Sequence, residues 1–210
     1  MKKVIIAIVA ISTILVSCNS EKKEKVEVKE EVKVERIAKT NNVDVSTSLM
    51  TWKGTKPGGA HNGSIAFKES SLILENGNIT GGEFLIDMAS IKNLDIENEK
   101  KSTNLVGHLT SADFFDIATF PTSKFVITSV EGTDGKLAVT GNLTIKDVTK
   151  SITIPATLSE AEGITTFKSD VFNIDRADFN VKYGSKKWFD NLKDKFIDDL
   201  VELSFVVEAK

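Results

Sequence analysis

The chain alternates. From Lys136 to Lys146, Leu137, Val139, Gly141, Leu143 and Ile145 fall on one side, and Lys136, Ala138, Thr140, Asn142, Thr144 and Lys146 on the other. A period of two gives a strand one apolar face. Asp147–Lys150 predicts a turn, after which Ile152, Ile154, Ala156 and Leu158 resume the alternation as the second arm of a hairpin. Pro155, which has no amide donor, marks an outward or edge position. Thr133-Asp134-Gly135 predicts another hairpin turn, between Lys124–Glu131 and Lys136–Lys146. Upstream, Ile65 and Phe67 alternate with polar neighbours, as do Phe84, Ile86 and Met88, with Asn76-Gly77-Asn78 as the turn between them. Val201, Leu203, Phe205 and Val207 share a face near the end.

Two stretches break the period. Glu97–Thr110 is polar and helix-permissive, and predicts a helix crossing the surface. Asp178–Ile197 carries Tyr183, Trp188, Phe189 and Phe196 without alternation. About eight antiparallel strands with one apolar face each predict an all-β barrel, because closure removes the sheet edges. The interior of an eight-stranded barrel holds either side chains or one small ligand. Inward Phe and Ile serve either purpose, so the pattern leaves a filled and a hollow barrel open.

The ends of the chain follow other rules. Lys2 and Lys3 precede an apolar run, Val4–Val16, too short to span a bilayer and of signal-peptide length. The run ends in Leu15-Val16-Ser17-Cys18, which resembles the cleavage box of bacterial lipoproteins. Residues 1–17 are therefore expected to be a signal peptide and Cys18 the lipidation site. Cys18 is the only cysteine, so no intrachain disulfide exists. Two or more acyl chains anchor a protein without spanning the membrane. The expected location is the cell envelope, and Asn19 after the cysteine is compatible with the outer membrane, facing the periplasm.

Between Glu21 and Lys39 lie seven basic and six acidic residues and no aromatic, Gly or Pro. Such a segment buries too little apolar surface to order itself. Residues 18–42 read as the lipidated Cys18 plus a charged tether, with Val26, Val28, Val32 and Val34 as an alternative added strand. Residues 43–210 form one domain, long enough to bury a core. The formal net charge is −3, and loss of Lys2 and Lys3 makes it more negative, which argues against nucleic acid as a partner.

Candidate chemistry is sparse. His61 and His108 are the only histidines. A metal site joining them with Asp87 or Asp113 lacks the close spacing of usual ligand sets, and no metal is expected. The reading preferred for both is a hydrogen-bonding or capping role, His108 at the end of the helix and His61 in the loop after Gly58-Gly59. No serine sits in a nucleophile-elbow pattern and no Gly-rich loop cradles phosphate, so no enzyme activity and no catalytic residue are expected. Asp175, Arg176 and Asp178 suggest a local ion-pair turn, with Arg176 bracing it through a bidentate carboxylate contact.

Several motifs resemble one family. Gly107-His108-Leu109-Thr110-Ser111-Ala112-Asp113-Phe114-Phe115-Asp116 is followed by Phe120-Pro121 and Phe125. Trp52-Lys53-Gly54, His61-Asn62-Gly63, Gly82–Ser90, Gly141–Lys150 and Phe172–Phe179 accompany it in order. Together they resemble the YceI-like family over about Val43–Ala209. Asn180 stands where that pattern often has Gly, and Lys186–Asn191 is longer than the pattern, so one barrel mouth departs from it.

The resemblance implies a lipocalin-like antiparallel barrel with short surface helices that holds a polyisoprenoid or similar long-chain amphiphile. No cofactor is implied beyond such a lipid, polyisoprenoid or quinone-like. It leaves homodimerisation open. The inward candidates for an apolar cavity are Ile65, Phe67, Phe84, Ile86, Met88, Phe125 and Ile127, then Leu137, Val139, Leu143, Ile145, Ile152, Ile154 and Phe205. His108 and Arg176 are candidates for the mouth or for a head group. The partners expected are thus an apolar amphiphile and, through the N-terminal lipid, a membrane. The alternatives are an interaction lipoprotein with a filled barrel and, behind it, an enzyme.

Overall fold

A computed structural model describes residues 23–33, 42–133 and 135–210. Residues 1–17, Cys18 and Asp134 of the expected hairpin turn lie outside the described residues. The elements, in chain order, are strands β1 (Val28–Lys29), β2 (Leu49–Lys56), β3 (Gly59–Glu75), β4 (Asn78–Asp87) and β5 (Lys92–Asn93) and helix α1 (Glu99–Thr110). After them come β6 (Thr122–Thr133), β7 (Lys136–Ile145), β8 (Val148–Ala161), β9 (Ile164–Ser169), β10 (Phe172–Asp175) and β11 (Leu200–Ala209).

The strands pair antiparallel in the order β8-β7-β6-β4-β3-β2-β11. Strand β9 pairs with both β11 and β8 and closes the ring. Strand β10 continues along β11 where β9 leaves off, so β9 and β10 occupy one path. The result is an eight-stranded antiparallel barrel. The β7–β8 connection is tighter than the expected Asp147–Lys150 turn: Ile145 already pairs with Val148, and Thr144 and Thr149 join hydroxyls at 2.9 Å. Only Lys146 and Asp147 turn, with Lys146 in the left-handed region at φ 56°, because a two-residue hairpin preserves strand twist better than a wider loop.

Inward positions fill the barrel unevenly. At one end Phe67, Phe84, Phe167 and Phe205 form a cluster with ring centroids 5.0–6.4 Å apart, mostly edge to face. Such contacts add to the burial energy of the rings. The opposite end is crossed by α1. Asn98 caps it by accepting from the Lys101 amide at 3.0 Å, and it has no fully buried residue.

One stretch of the wall is not closed by the domain's own strands. Strand β8 pairs with β9 only between Ala156 and Ala161, and the Asp170 amide donates to the Pro155 carbonyl at the fork. Beyond the fork β8 and β10 diverge, and residues 23–33 fill the gap. Val28 and Lys29 pair with Ile152 and Ser151 of β8. On the other side the Val26 amide donates to the Asn173 carbonyl at 2.8 Å, and Asn173 Nδ2 donates to the Glu24 carbonyl at 2.9 Å. Further on, Asn142 Oδ1 accepts from the Val32 amide at 3.0 Å while Nδ2 donates to the Val32 carbonyl at 2.6 Å.

This strap departs from the expectation of a solvated tether and follows the alternative of an added strand, though only Val28–Lys29 are paired as one and Val34 lies outside the described residues. Its backbone finds the open edges of β8 and β10, and Val26 and Val28 pack against the core. Charge composition alone does not reveal such partners.

Candidate functional site

Above the phenylalanine cluster the barrel is hollow. A cavity of about 540 Å³ opens at the α1 end, within the usual range for small-molecule sites. Its walls are Met50 and Trp52 of β2, Ile65 of β3, Ile86 of β4, Phe125 of β6, Leu143 and Ile145 of β7, Ile152 and Ile154 of β8, Phe172 and Ile174 of β10, and Val201, Leu203 and Phe205 of β11. Met88 and Ile91 follow β4, and α1 adds Leu105 and Leu109. Ser123 also lines it, but its hydroxyl is turned to Met88 Sδ at 3.2 Å.

The inward candidates therefore divide. Ile65, Ile86, Met88, Phe125, Leu143, Ile145, Ile152, Ile154 and Phe205 line the cavity. Phe67, Phe84, Ile127 and Val139 do not: they are buried in the packed end. Leu137 is half-buried and packs against the core there. Alternation assigns a residue to a face but not to a height along the barrel axis, and height separates wall from floor. Val201 and Leu203 were legible as partners of Phe205 on one face. Leu105, Leu109, Phe172, Ile174 and Tyr183 reach the cavity only through tertiary placement.

The mouth is polar on part of its rim. Lys56 and Pro57 of the β2–β3 hairpin, His61, and Asp194, Lys195 and Asp198 of the segment before β11 line it. His61 lies in strand β3 rather than in a loop, and its Nδ1 is 2.8 Å from Asp95 Oδ2. Asp95 also accepts from the Asn62 amide at 2.9 Å and from Asn93 at 2.6 Å. Burial works against the Asp95 carboxylate, but these bonds and His61 outweigh it and hold the carboxyl below its ordinary value.

The His108 ring packs edge to face on Tyr183, 4.5 Å between centroids, and on Phe114 at 5.7 Å. The helix end is closed by its backbone instead, the His108 carbonyl accepting from the Ser111 amide. Asp87 caps the turn at 88–90 through the Ala89 amide. Among the described residues no three His, Cys, Asp or Glu side chains gather as a metal site.

Arg176 lines the cavity and is only 1% exposed. It does not grip carboxylates in the expected bidentate way. Nη1 donates to the Val181 carbonyl at 2.7 Å, Nη2 to that of Ile197 at 3.0 Å and Nε to that of Asp198 at 3.1 Å. Asp199 lies 3.3 Å from Nη2, and the guanidinium sits over the Phe114 ring at 5.3 Å. Asp175 and Asp178 turn instead to two lysines, Lys25 of the strap and Lys187 of the mouth loop. Burial opposes ionisation of Asp175, yet the bond and charge of Lys187, the charge of Lys25 and the Ala177 amide together hold its carboxyl below the ordinary value.

A family model described as the YceI-like domain matches residues 39–209. The chain belongs to the YceI-like family. Its fold is shared with solved members and neighbours. BcnA of Burkholderia cenocepacia superposes with a TM-score of 0.66 at 24% identity, covering 80% of this chain and 99% of that one. A polyisoprenoid binding domain from Saccharophagus degradans, implicated in plant cell wall breakdown, gives 0.59 at 16% identity, over 80% and 96%. The YceI protein of Campylobacter jejuni gives 0.51 at 21% identity, over 96% and 98%.

Sequence relatives include a UPF0312 protein of Pseudomonas putida, 46% identical over 74 residues, and one of Pseudomonas savastanoi, 41% identical over 86 residues. The matched segments span 35% and 37% of this chain and 35% and 45% of the relatives' own lengths.

Proposed function

We propose that this YceI-like protein is an exported lipoprotein whose barrel binds a polyisoprenoid or similar long-chain amphiphile and carries or stores it. The observation that carries the reading is the cavity: about 540 Å³, walled by aliphatic and aromatic side chains and open at one end. At about 0.8 kcal/mol per buried methylene, a dozen such carbons correspond to about 10 kcal/mol of transfer energy. A site of this kind needs no catalytic group to hold its cargo. Met88 re-packs readily around a flexible chain, and the polar rim of Lys56, His61 and Lys195 suits a head group left at the mouth. The description of the Saccharophagus neighbour as polyisoprenoid-binding supports the same ligand class. A filled-barrel interaction protein is disfavoured by the hollow.

Anchoring follows from the N-terminus. The apolar run, Cys18 and Asn19 support a lipid-anchored protein at the outer membrane, facing the periplasm.

The test is extraction. The chain from Asn19 onward, exported behind an ordinary cleavable signal and purified without detergent, should release a stoichiometric isoprenoid or other long-chain amphiphile into organic solvent, detected by mass spectrometry. Leu143→Trp should fill the cavity and lower occupancy at least tenfold while the thermal midpoint stays close to that of the parent. Equal occupancy in both proteins would place the lipid outside the cavity, and an empty parent that takes up neither polyprenol nor quinone would end the carrier reading.

A further inference from the structure

The longest irregular stretch of the described chain borders the cavity mouth, and its outer surface is oily. Tyr183, Trp188 and Phe189 are 43%, 50% and 49% exposed. Tyr183 turns toward His108 and the cavity, but most large apolar side chains among the described residues are inside, so the exposed rings of Trp188 and Phe189, consecutive in the chain, need a reason. The loop that carries them is not loose at its base. Ser185 is fully buried, its hydroxyl donates to Asp199 at 2.9 Å, and its carbonyl accepts from both the Trp188 and Phe189 amides. The Ile197 amide donates to the Gly184 carbonyl, and Gly184 takes φ 65°. Arg176 holds both ends of the loop. The Trp188 and Phe189 rings are therefore presented outward from a fixed base.

Their surroundings are basic. Between Lys182 and Lys195 there are five lysines and two aspartates, in a chain whose net charge is −3, and of the five Lys187 is paired with Asp175 and Asp178. Lys182 Nζ lies 3.9 Å from the Trp188 ring centroid and Lys186 Nζ 3.3 Å from that of Phe196. Lys195, on the same loop, lines the mouth, as does Lys56 of the β2–β3 hairpin. Exposed aromatic rings set among ammonium groups match a bilayer interface, where rings sit at the headgroup level and lysines meet anionic phosphates. The position fits as well, since an amphiphile leaving a membrane meets the cavity at this rim.

We propose that the loop 182–195 is a membrane-docking element that seats the cavity mouth on an anionic lipid surface, with Trp188 and Phe189 inserted among the headgroups. The proposal rests on the lipid-binding reading of the cavity and adds the surface from which the cargo is taken.

The test uses the full chain reconstituted into vesicles. Trp52 lies in the cavity wall and reports acyl chains that enter the cavity, so the quenching that Trp188→Phe abolishes is the part that belongs to Trp188. In vesicles of brominated phosphatidylcholine and phosphatidylglycerol the wild-type emission should fall by about half, and Trp188→Phe should lose the Trp188 share of that quenching. Lys182→Glu with Lys186→Glu, or high salt, should weaken it. Uptake of a fluorescent polyprenol from the vesicles should slow at least tenfold in Trp188→Ser with Phe189→Ser, while final occupancy from dispersed polyprenol matches wild type. Unquenched Trp188 in anionic vesicles, with normal occupancy, overturns the docking proposal and leaves the cavity reading standing, with a protein partner as the remaining occupant of the patch. Quenching with no polyprenol uptake by any route supports docking and ends the cavity reading instead.

Discussion

Arg176 contributes one side chain to both ends of the mouth loop. Its guanidinium satisfies carbonyls at Val181, Ile197 and Asp198 and faces Asp199. Removing a buried charge of this kind leaves its partners unpaired and destabilises by about 3–5 kcal/mol. Arg176→Ala is expected to lose stability of that order in urea unfolding. Arg176→Lys should recover only part of it, because an ammonium cannot donate along three fixed directions. The sequence marked Arg176 and its aspartate neighbours as a unit. Their partners were not legible, since Lys25, Lys187 and the carbonyl groups arrive from segments that only the fold brings near.

The same turn makes an acid-sensitive joint. Asp175 is held below its ordinary value of 3.8 in the folded chain. A lowered folded value stabilises above the carboxylate range, and that contribution disappears as pH falls through the folded value. Thermal midpoints measured from neutral pH down to below 3.8 should therefore drop, and Asp175→Asn should show a smaller drop than the parent. Equal drops would assign the acid sensitivity to Asp44, Asp95 and Glu202, which are lowered too.

Among the elements, the strands were the most legible. Alternation over Lys136–Ile145 and Val148–Leu158 places β7 and β8 and their inner faces correctly, because period two is a direct consequence of the pleat. Asn142 is the instructive exception: it lies on the outward face, yet it is only 3% exposed, because Val32 of the strap covers it. Ser151, paired with Lys29, is buried for the same reason. The valines of the strap were legible as an alternative strand, but its partners were not, because its backbone bonds go to two separate strands far along the chain. Val28→Asp should release it, at a loss of about 1–2 kcal/mol. Amide exchange at Ser151 and Val26 should rise at least tenfold while the β6–β7 amides keep their protection. Unchanged exchange would mean that the seam is held without Val28.

For the whole molecule, sequence pattern and motifs together pointed to a closed antiparallel barrel, and the ring of strands bears this out. Whether the barrel was hollow depended on how inward side chains stack along the axis. Four phenylalanines, two of them from β3 and β4, meet at one end, while aliphatic and aromatic side chains stand apart around the other. A filled floor and an empty upper half use the same residue types and differ only in register.

The strap also dictates an order of events in folding. It is made before every strand it joins, yet Asn142 lies 110 residues after Val32, and Asn173 lies 149 after Glu24. The edges it needs exist only once β8 and β10 have formed, so a segment made before those strands docks after them. Until then each nascent barrel offers an open β8 edge, and unpaired edges recruit whatever strand is at hand. Two chains folding side by side could exchange straps with no new contact chemistry. Crowding while the chain folds, rather than any surface complementarity, then sets how often such exchanged pairs arise.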